Sequence, residues 1–340
     1  MRLQGRFVGM KKASIRQDQG KEVGADHHGE GRVERRSVQG KQEVSVMVTI
    51  LDGGMGGEIQ KRMDGAGKGL WSAKALMEEP EIVVGLHQEY IEAGARMIIT
   101  NTYSTVPSYL AKAGLERDFE HFTALGAELA REAVSRSHEH VQVAGSLPPL
   151  SESYRPDLVP SEHEATPVYA ALVQALDPYV DLYLCETMST ADEAFNAASQ
   201  AKQLGGGKPV YVAWTLDEEP GKGLRSGESV VSAFERVAPL GIDGFLFNCT
   251  TPEAAISAIE TLSALTDKPL GCYVNRIKEV PEGWTLDNER ASVRRTDLTQ
   301  DYFVELSMQA VNAGASIIGG CCGIGPEDIR AFSKAVASGA

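Results

Sequence analysis

From Val48 onward, short apolar runs alternate with longer stretches whose apolar residues recur every third or fourth position. The runs are VTILDGG (48–54), MIITNTY (97–103), VQVAGSLPP (141–149), VDLYLCET (180–187), PVYVAWTL (209–216), GFLFNCT (244–250), PLGCYVN (269–275) and ASIIGGCC (315–322). Each is rich in β-branched or aromatic residues, has the length of a strand, and is followed by glycine, proline or polar residues. The stretches between them are helical in pattern. PEIVVGLHQEYIEAG opens with Pro80 and sets Ile82, Leu86 and Tyr90 along one face. Three passages from helix to strand look alike: EAGARMIIT, PLGIDGFLF and NAGASIIGG. In each, Gly94, Gly241 or Gly314 stands where a helix needs a left-handed residue to stop.

Eight strands alternating with helices over about 290 residues predict an α/β fold, the (β/α)8 barrel of the TIM type. An open doubly wound sheet competes, but its first turn usually spells GxGxxG, and here it reads DGGMGGEIQ. A closed barrel keeps its chemistry at the C-terminal ends of its strands. The polar and reactive residues fall there: Asp52, Asn101, Glu186, Cys249, Asn275, Cys321 and Cys322. The longest irregular stretches, 55–79, 146–168, 217–228 and 276–300, follow odd-numbered strands and are expected to fold over the mouth.

The first 46 residues do not share this pattern. They hold ten Lys and Arg against six Asp and Glu, have no apolar periodicity and few large side chains. Such a segment buries too little surface to offset its ordering entropy, so 1–46 is expected to be a disordered extension and 47–340 the barrel domain. The absence of an apolar core in the segment argues against a targeting peptide, and Met47 is a candidate natural start. The net charge of −14 excludes nucleic acid as a main partner. Five cysteines without a secretory pattern point to a reducing, cytoplasmic setting. No apolar run approaches the roughly 18–20 residues that cross a bilayer, so no membrane partner is expected. Nothing in the pattern specifies an oligomeric state.

Cys321 and Cys322 are adjacent, a spacing that disfavours a bond between them. Consecutive strand residues face opposite ways, so both reach one cavity only if the chain turns, which Gly319, Gly320 and Gly323 allow. Alternate strands contribute to one interior layer, which brings Cys249 of the sixth strand to the pair on the eighth. Three cysteines with an open fourth position suit a catalytic zinc. Three buried thiols without metal are the plainer alternative. Cys185 and Cys272 precede Glu186 and Tyr273, and point to the helical shell if those two face inward.

DGGMGGEI, TNTY, GSLPP, CET, NCT and GGCCG, in this order and at these strand ends, resemble the homocysteine S-methyltransferase family. The resemblance runs from residue 47 to the C-terminus, and GGCCG with an upstream NC is its most specific part. It implies a (β/α)8 barrel binding Zn2+ through Cys249, Cys321 and Cys322. The metal would hold homocysteine as a thiolate that takes a methyl group and leaves as methionine. It further implies that Asp52 and Glu186 accept hydrogen bonds from the homocysteine ammonium, and that the backbone at Gly53 and Gly54 approaches its carboxylate. A strand-end turn residue remains the alternative for Asp52, and a buried ion pair with Lys or Arg for Glu186. Asn101, Thr102 and Asn275 are expected to line the cavity or to cap loops.

GLWSAKALMEEPE (69–81) is similar to stand-alone members that use a sulfonium donor, S-methylmethionine or S-adenosylmethionine. Trp71 would offer its face to the sulfonium, with helix packing as the alternative. After the third strand the chain reads GSLPPLSESYRPD, where sulfonium-using members usually continue with a glycine-rich run. Tyr154 and Trp284 are further candidates for that pocket. The competing functions are a betaine-type methyltransferase, which uses a quaternary ammonium donor, and a non-catalytic zinc- or thiol-sensing barrel.

Overall fold

The computed structural model describes residues 30–34, 45–63, 70, 72–281, 283–285 and 293–339. Its main sheet holds eight parallel strands: Ser45–Ile50, Met97–Ile99, Gln142–Leu147, Leu182–Met188, Val210–Trp214, Gly244–Asn248, Leu270–Val274 and Ile317–Gly320. They lie side by side in chain order, and the eighth pairs with the first, Ile317 opposite Thr49. A bridge between Leu51 and Met97, with the Asp52 N–H donating to the Met97 carbonyl at 3.1 Å, closes the ring. Helices return the chain between strands, from Pro80–Ala93 through Gln300–Ala313, and Pro326–Ser338 follows the last. This is the (β/α)8 barrel that the pattern predicts. Among the described residues, no helix is long and apolar enough to cross a membrane.

Two apolar layers hold it. Leu51, Ala144, Leu184, Ala213, Leu246 and Ile317 fill the barrel interior, while a larger cluster packs the helices onto the outside of the sheet. Cys185 and Cys272 belong to the outer cluster and are buried free thiols, as alternation requires. Gly94, Gly241 and Gly314 take φ of 113°, 69° and 133°, the positive values expected where those helices end. On Pro80–Ala93 the buried face runs through Val83, Leu86, His87 and Tyr90, and Ile82 lies at its edge.

Two expectations are corrected. Residues 55–79 are not irregular throughout, since Met55–Arg62 and Ala73–Glu78 are helices. Within the segment expected to be disordered, Glu30–Glu34 pair antiparallel with the first barrel strand, Glu30 opposite Thr49 and Glu34 opposite Ser45. The second strand begins only at Met97, opposite Leu51, so the lower half of the first strand has a backbone edge that Glu30–Glu34 satisfy. Residues 1–29 and 35–44 lie outside the described residues.

Candidate active site and metal centre

A cavity of about 240 Å³ opens at the C-terminal ends of the strands. Asp52, Gly53, Asn101, Glu186, Cys249, Cys321 and Cys322 all line it, although they come from five different strand ends. The stretches after the first, third and seventh strands cover it through Met55, Gln60, Ser153, Tyr154 and Trp284. Trp71 lies outside the described residues.

The inward positions of the third, fourth and seventh strands set up the acidic part. Glu186 continues the inward series Leu182, Leu184 and is buried at 7% exposure. Its Oε1 accepts from the Ser146 hydroxyl and its Oε2 from the Tyr273 hydroxyl at 3.1 Å. Neither partner is cationic, so the ion pair weighed as its alternative role is not formed. Burial pushes its carboxyl up to about 7, against the two hydroxyls that lower it. Asp52 ends the first strand. Its Oδ2 accepts the Ile99 N–H at 2.9 Å, while Oδ1 is buried with no hydrogen-bond partner. Burial, and to a lesser degree the charge of Glu186, holds this carboxyl well above its usual range, with the Ile99 N–H opposing. Arg276, on the same wall, is already committed to Asp328 at 2.7 and 3.0 Å. Arg294 also lines the cavity, yet among the described residues no ammonium or guanidinium hydrogen-bonds to either buried carboxylate.

The sulfurs arrive differently from expectation. Alternation along Gly244–Asn248 puts Leu246 and then Asn248 inward, not Cys249. Cys249 reaches the cavity because its backbone turns left-handed, with φ of 48°. On the eighth strand the chain leaves the sheet after Gly320, and Cys321 and Cys322 both line the cavity in the following turn, which Gly323 completes at φ 85°. The three Sγ atoms lie within 4.8 Å of one another. Cys249 and Cys321 are joined in a disulfide across 72 residues, and Cys322 is free, its Sγ 4.0 Å from that of Cys321. The adjacent pair is thus unbonded, as its spacing demands, but the oxidised partner of Cys321 is the distant cysteine. Reduced, the trio is a set of three soft donors converging on one point, which fits a single zinc ion.

Gly53 and Gly54 behave unequally. Gly53 lines the cavity, whereas the Gly54 N–H is spent on the Ile324 carbonyl at 2.9 Å. A Cβ on Gly54 would meet the Cys321 carbonyl oxygen at 2.6 Å, so this glycine lets the first strand end pack against the cysteine turn. Gly54→Ala is expected to lose about 1–3 kcal/mol by overpacking, seen as a melting temperature lowered by several degrees. An unchanged melting curve would show that the turn yields without cost. Asn275 caps rather than lines, its Oδ1 accepting the Ile277 N–H at 3.1 Å, and Asn101 donates to the Ser72 carbonyl at 3.2 Å from the cavity wall.

Tyr154 and Trp284 meet edge-to-face at 5.2 Å between centroids and divide the cavity from an outer chamber of about 360 Å³ that holds Arg155, Asp157 and Arg225. The Arg225 guanidinium lies 5.0 Å from the Tyr154 ring centroid. Sequence reasoning missed Ser146 and Tyr103, whose hydroxyl meets Ser153 Oγ at 2.6 Å; the inward alternation from Ala144 marks Ser146, but no local pattern marks Tyr103.

A relative named homocysteine S-methyltransferase, from Escherichia coli (strain K12), is 31% identical over 321 residues, covering 87% of this chain and 96% of its own. Crystal structures of the homocysteine methyltransferase MmuM from Escherichia coli superpose with a TM-score of 0.70. The metallated form is 27% identical and covers 84% of this chain and 96% of its own. The oxidized form is 28% identical and covers 84% and 95%. The family model for homocysteine S-methyltransferase matches residues 49–336. With that match spanning the whole barrel and every strand end that lines the cavity, the chain belongs to the homocysteine S-methyltransferase family.

Proposed function

We propose that this chain moves a methyl group from a sulfonium donor, S-methylmethionine or S-adenosylmethionine, to the sulfur of homocysteine, giving methionine. The observation that carries this is the unpartnered Asp52 Oδ1 beside Glu186, both facing the cavity into which three cysteine sulfurs converge. Buried carboxylates lacking a cation favour a ligand that brings one. An amino acid with a thiol brings an ammonium for the acidic end and a sulfur for the cysteine end.

Cys249, Cys321 and Cys322 would hold Zn2+ once the disulfide is reduced. Bound there, the metal supplies deprotonation of a thiol whose ordinary pKa of about 8.5 leaves it mostly protonated at neutral pH. Asp52 and Glu186 accept from the ammonium and fix the amino acid in register. Gly53, whose backbone lines the cavity, lies beside the carboxylate. Tyr154 and Trp284 wall the donor side, and a cation against an aromatic face gains about 0.5–2 kcal/mol. The acceptor sulfur attacks the methyl carbon; its S–C bond forms as the donor's S–CH3 bond breaks, and that electron pair stays on the donor sulfur, which leaves as a neutral thioether. A charge is quenched in this step, so water exclusion by the covering loops favours it.

A quaternary ammonium donor such as betaine meets the same cation requirement. The sensing alternative needs either a fourth protein ligand or an oxidised Cys321–Cys322 pair; the candidate cluster among the described residues has three ligands, and the bonded pair is Cys249–Cys321. The deciding experiment offers S-methylmethionine, S-adenosylmethionine and betaine separately to reduced, zinc-loaded protein with homocysteine, and measures methionine. Turnover with a sulfonium donor is expected. Turnover with betaine alone would replace the donor, and none with any donor would overturn the activity.

A further inference from the structure

We infer that Asn248 is a positioning residue that delivers Cys249 to the sulfur cluster, by clamping the backbone and side chain of Thr187 at the end of a non-adjacent strand. Asn248 Oδ1 accepts the Thr187 N–H at 2.8 Å, and its Nδ2 donates to Thr187 Oγ1 at 2.8 Å. Both residues are fully buried. They sit at the ends of the sixth and fourth strands, with Val210–Trp214 between them, so the clamp spans a neighbouring strand across the barrel mouth.

Each strand turns left-handed at this level. Thr187, directly after Glu186, has φ 61°, and Cys249, directly after Asn248, has φ 48°. Left-handed backbone at a non-glycine residue is unfavourable and persists only where its surroundings over-determine it. At Cys249 the surroundings are identifiable. Its N–H donates to the Tyr273 carbonyl at 3.2 Å, its carbonyl accepts from the Thr215 hydroxyl at 3.2 Å, and the preceding side chain is anchored by the two-bond clamp. Asparagine suits the position by its chemistry. Thr187 presents one donor and one acceptor, and only a short side chain with one acceptor and one donor answers both. The clamp ties the strand end that bears Glu186 to the one that bears Cys249, so the ammonium-binding carboxylate and a sulfur ligand keep a fixed relation.

The inference rests on Cys249 being a metal ligand, and the test separates the two. Asn248→Asp keeps the size and the Oδ1 acceptor and removes the Nδ2 donor. In reduced protein loaded with zinc, it is expected to weaken zinc affinity in chelator competition by about 10–100-fold, the usual effect of losing a partner that orients a ligand. Loaded with cobalt instead, it should show a weakened thiolate-to-metal absorption band. Alkylation of the reduced, metal-free protein should change the rate at Cys249 relative to Cys322, which a general loss of stability would not do selectively. Zinc affinity, cobalt spectrum and alkylation ratio all matching the unsubstituted protein would overturn the clamp. If Asn248→Asp does not fold, Thr187→Val carries the same measurements, since it removes only the hydroxyl and leaves the N–H bond; unchanged values there would overturn it equally. Failure of the unsubstituted reduced protein to bind zinc would sink the ligand assignment itself, and the clamp's role with it.

Discussion

Cys322→Ser is expected to release the zinc and to lower methyl transfer by about three orders of magnitude, because metal activation contributes several kcal/mol. Cys322 is the one cysteine of the trio outside the disulfide, and its Sγ lies 4.0 Å from that of Cys321. Its own thiol is pushed up by burial, so a cation at the cluster is what would keep it ionised. Serine offers a hard, protonated hydroxyl in place of a soft thiolate, and two remaining sulfurs make a poor zinc site. Without the metal, homocysteine reverts to a thiol of pKa about 8.5, of which only a few per cent is ionised at pH 7. Zinc content per chain and steady-state methionine formation, measured under reductant, check this. A substituted protein with full zinc and full turnover would remove Cys322 from the site. Reductant matters in the same experiment: the Cys249–Cys321 bond withholds two of the three donors, so the unsubstituted protein should take up zinc only after reduction.

Glu186→Gln is expected to raise KM for homocysteine by about 10- to 100-fold, matching the roughly 1.5–3 kcal/mol of a hydrogen bond to a charged group. The same residue sets a pH dependence. Its carboxyl sits at about 7, raised by burial, so it is ionised above that value and neutral below it. A cationic ammonium is held by the ionised form, hence kcat/KM for homocysteine should fall as the pH drops through about 7, and the glutamine variant should lose that acid limb. Ser146 and Tyr273 donate to different carboxylate oxygens; in the variant one hydroxyl can still donate to the amide oxygen and the other can turn to accept from the amide nitrogen, so the fold should survive the substitution. An acid limb that persists in Glu186→Gln would assign it to another group, Asp52 first.

Much of this architecture is legible in the sequence. The eight apolar runs are the eight strands, and the three glycines whose position marks helix stops carry positive φ. The outward placement of Cys185 and Cys272 followed from period-two alternation. So did the inward placement of Glu186. These features are local: each depends on a few neighbouring residues and on which side of a strand they occupy.

The same rule failed at Cys249, which alternation sends outward and a left-handed turn brings back. Nor does any local pattern reveal that the Gly54 N–H goes to Ile324 at the other end of the chain, or which of its two open roles Asn275 takes, that of closing its own loop. Glu30–Glu34 became a strand because the first barrel strand had a free edge, which composition cannot reveal. By itself, then, the sequence determined the barrel, the end of it that carries the chemistry, and the residue types gathered there. Which sulfur bonds Cys321, which carboxylate oxygen stays unpartnered, and which side chain holds Cys249 in place were decided only by ring closure. That closure sets residues 61 to 72 positions apart within bonding distance, and where their hydrogen bonds and sulfurs meet depends on distances no local pattern encodes.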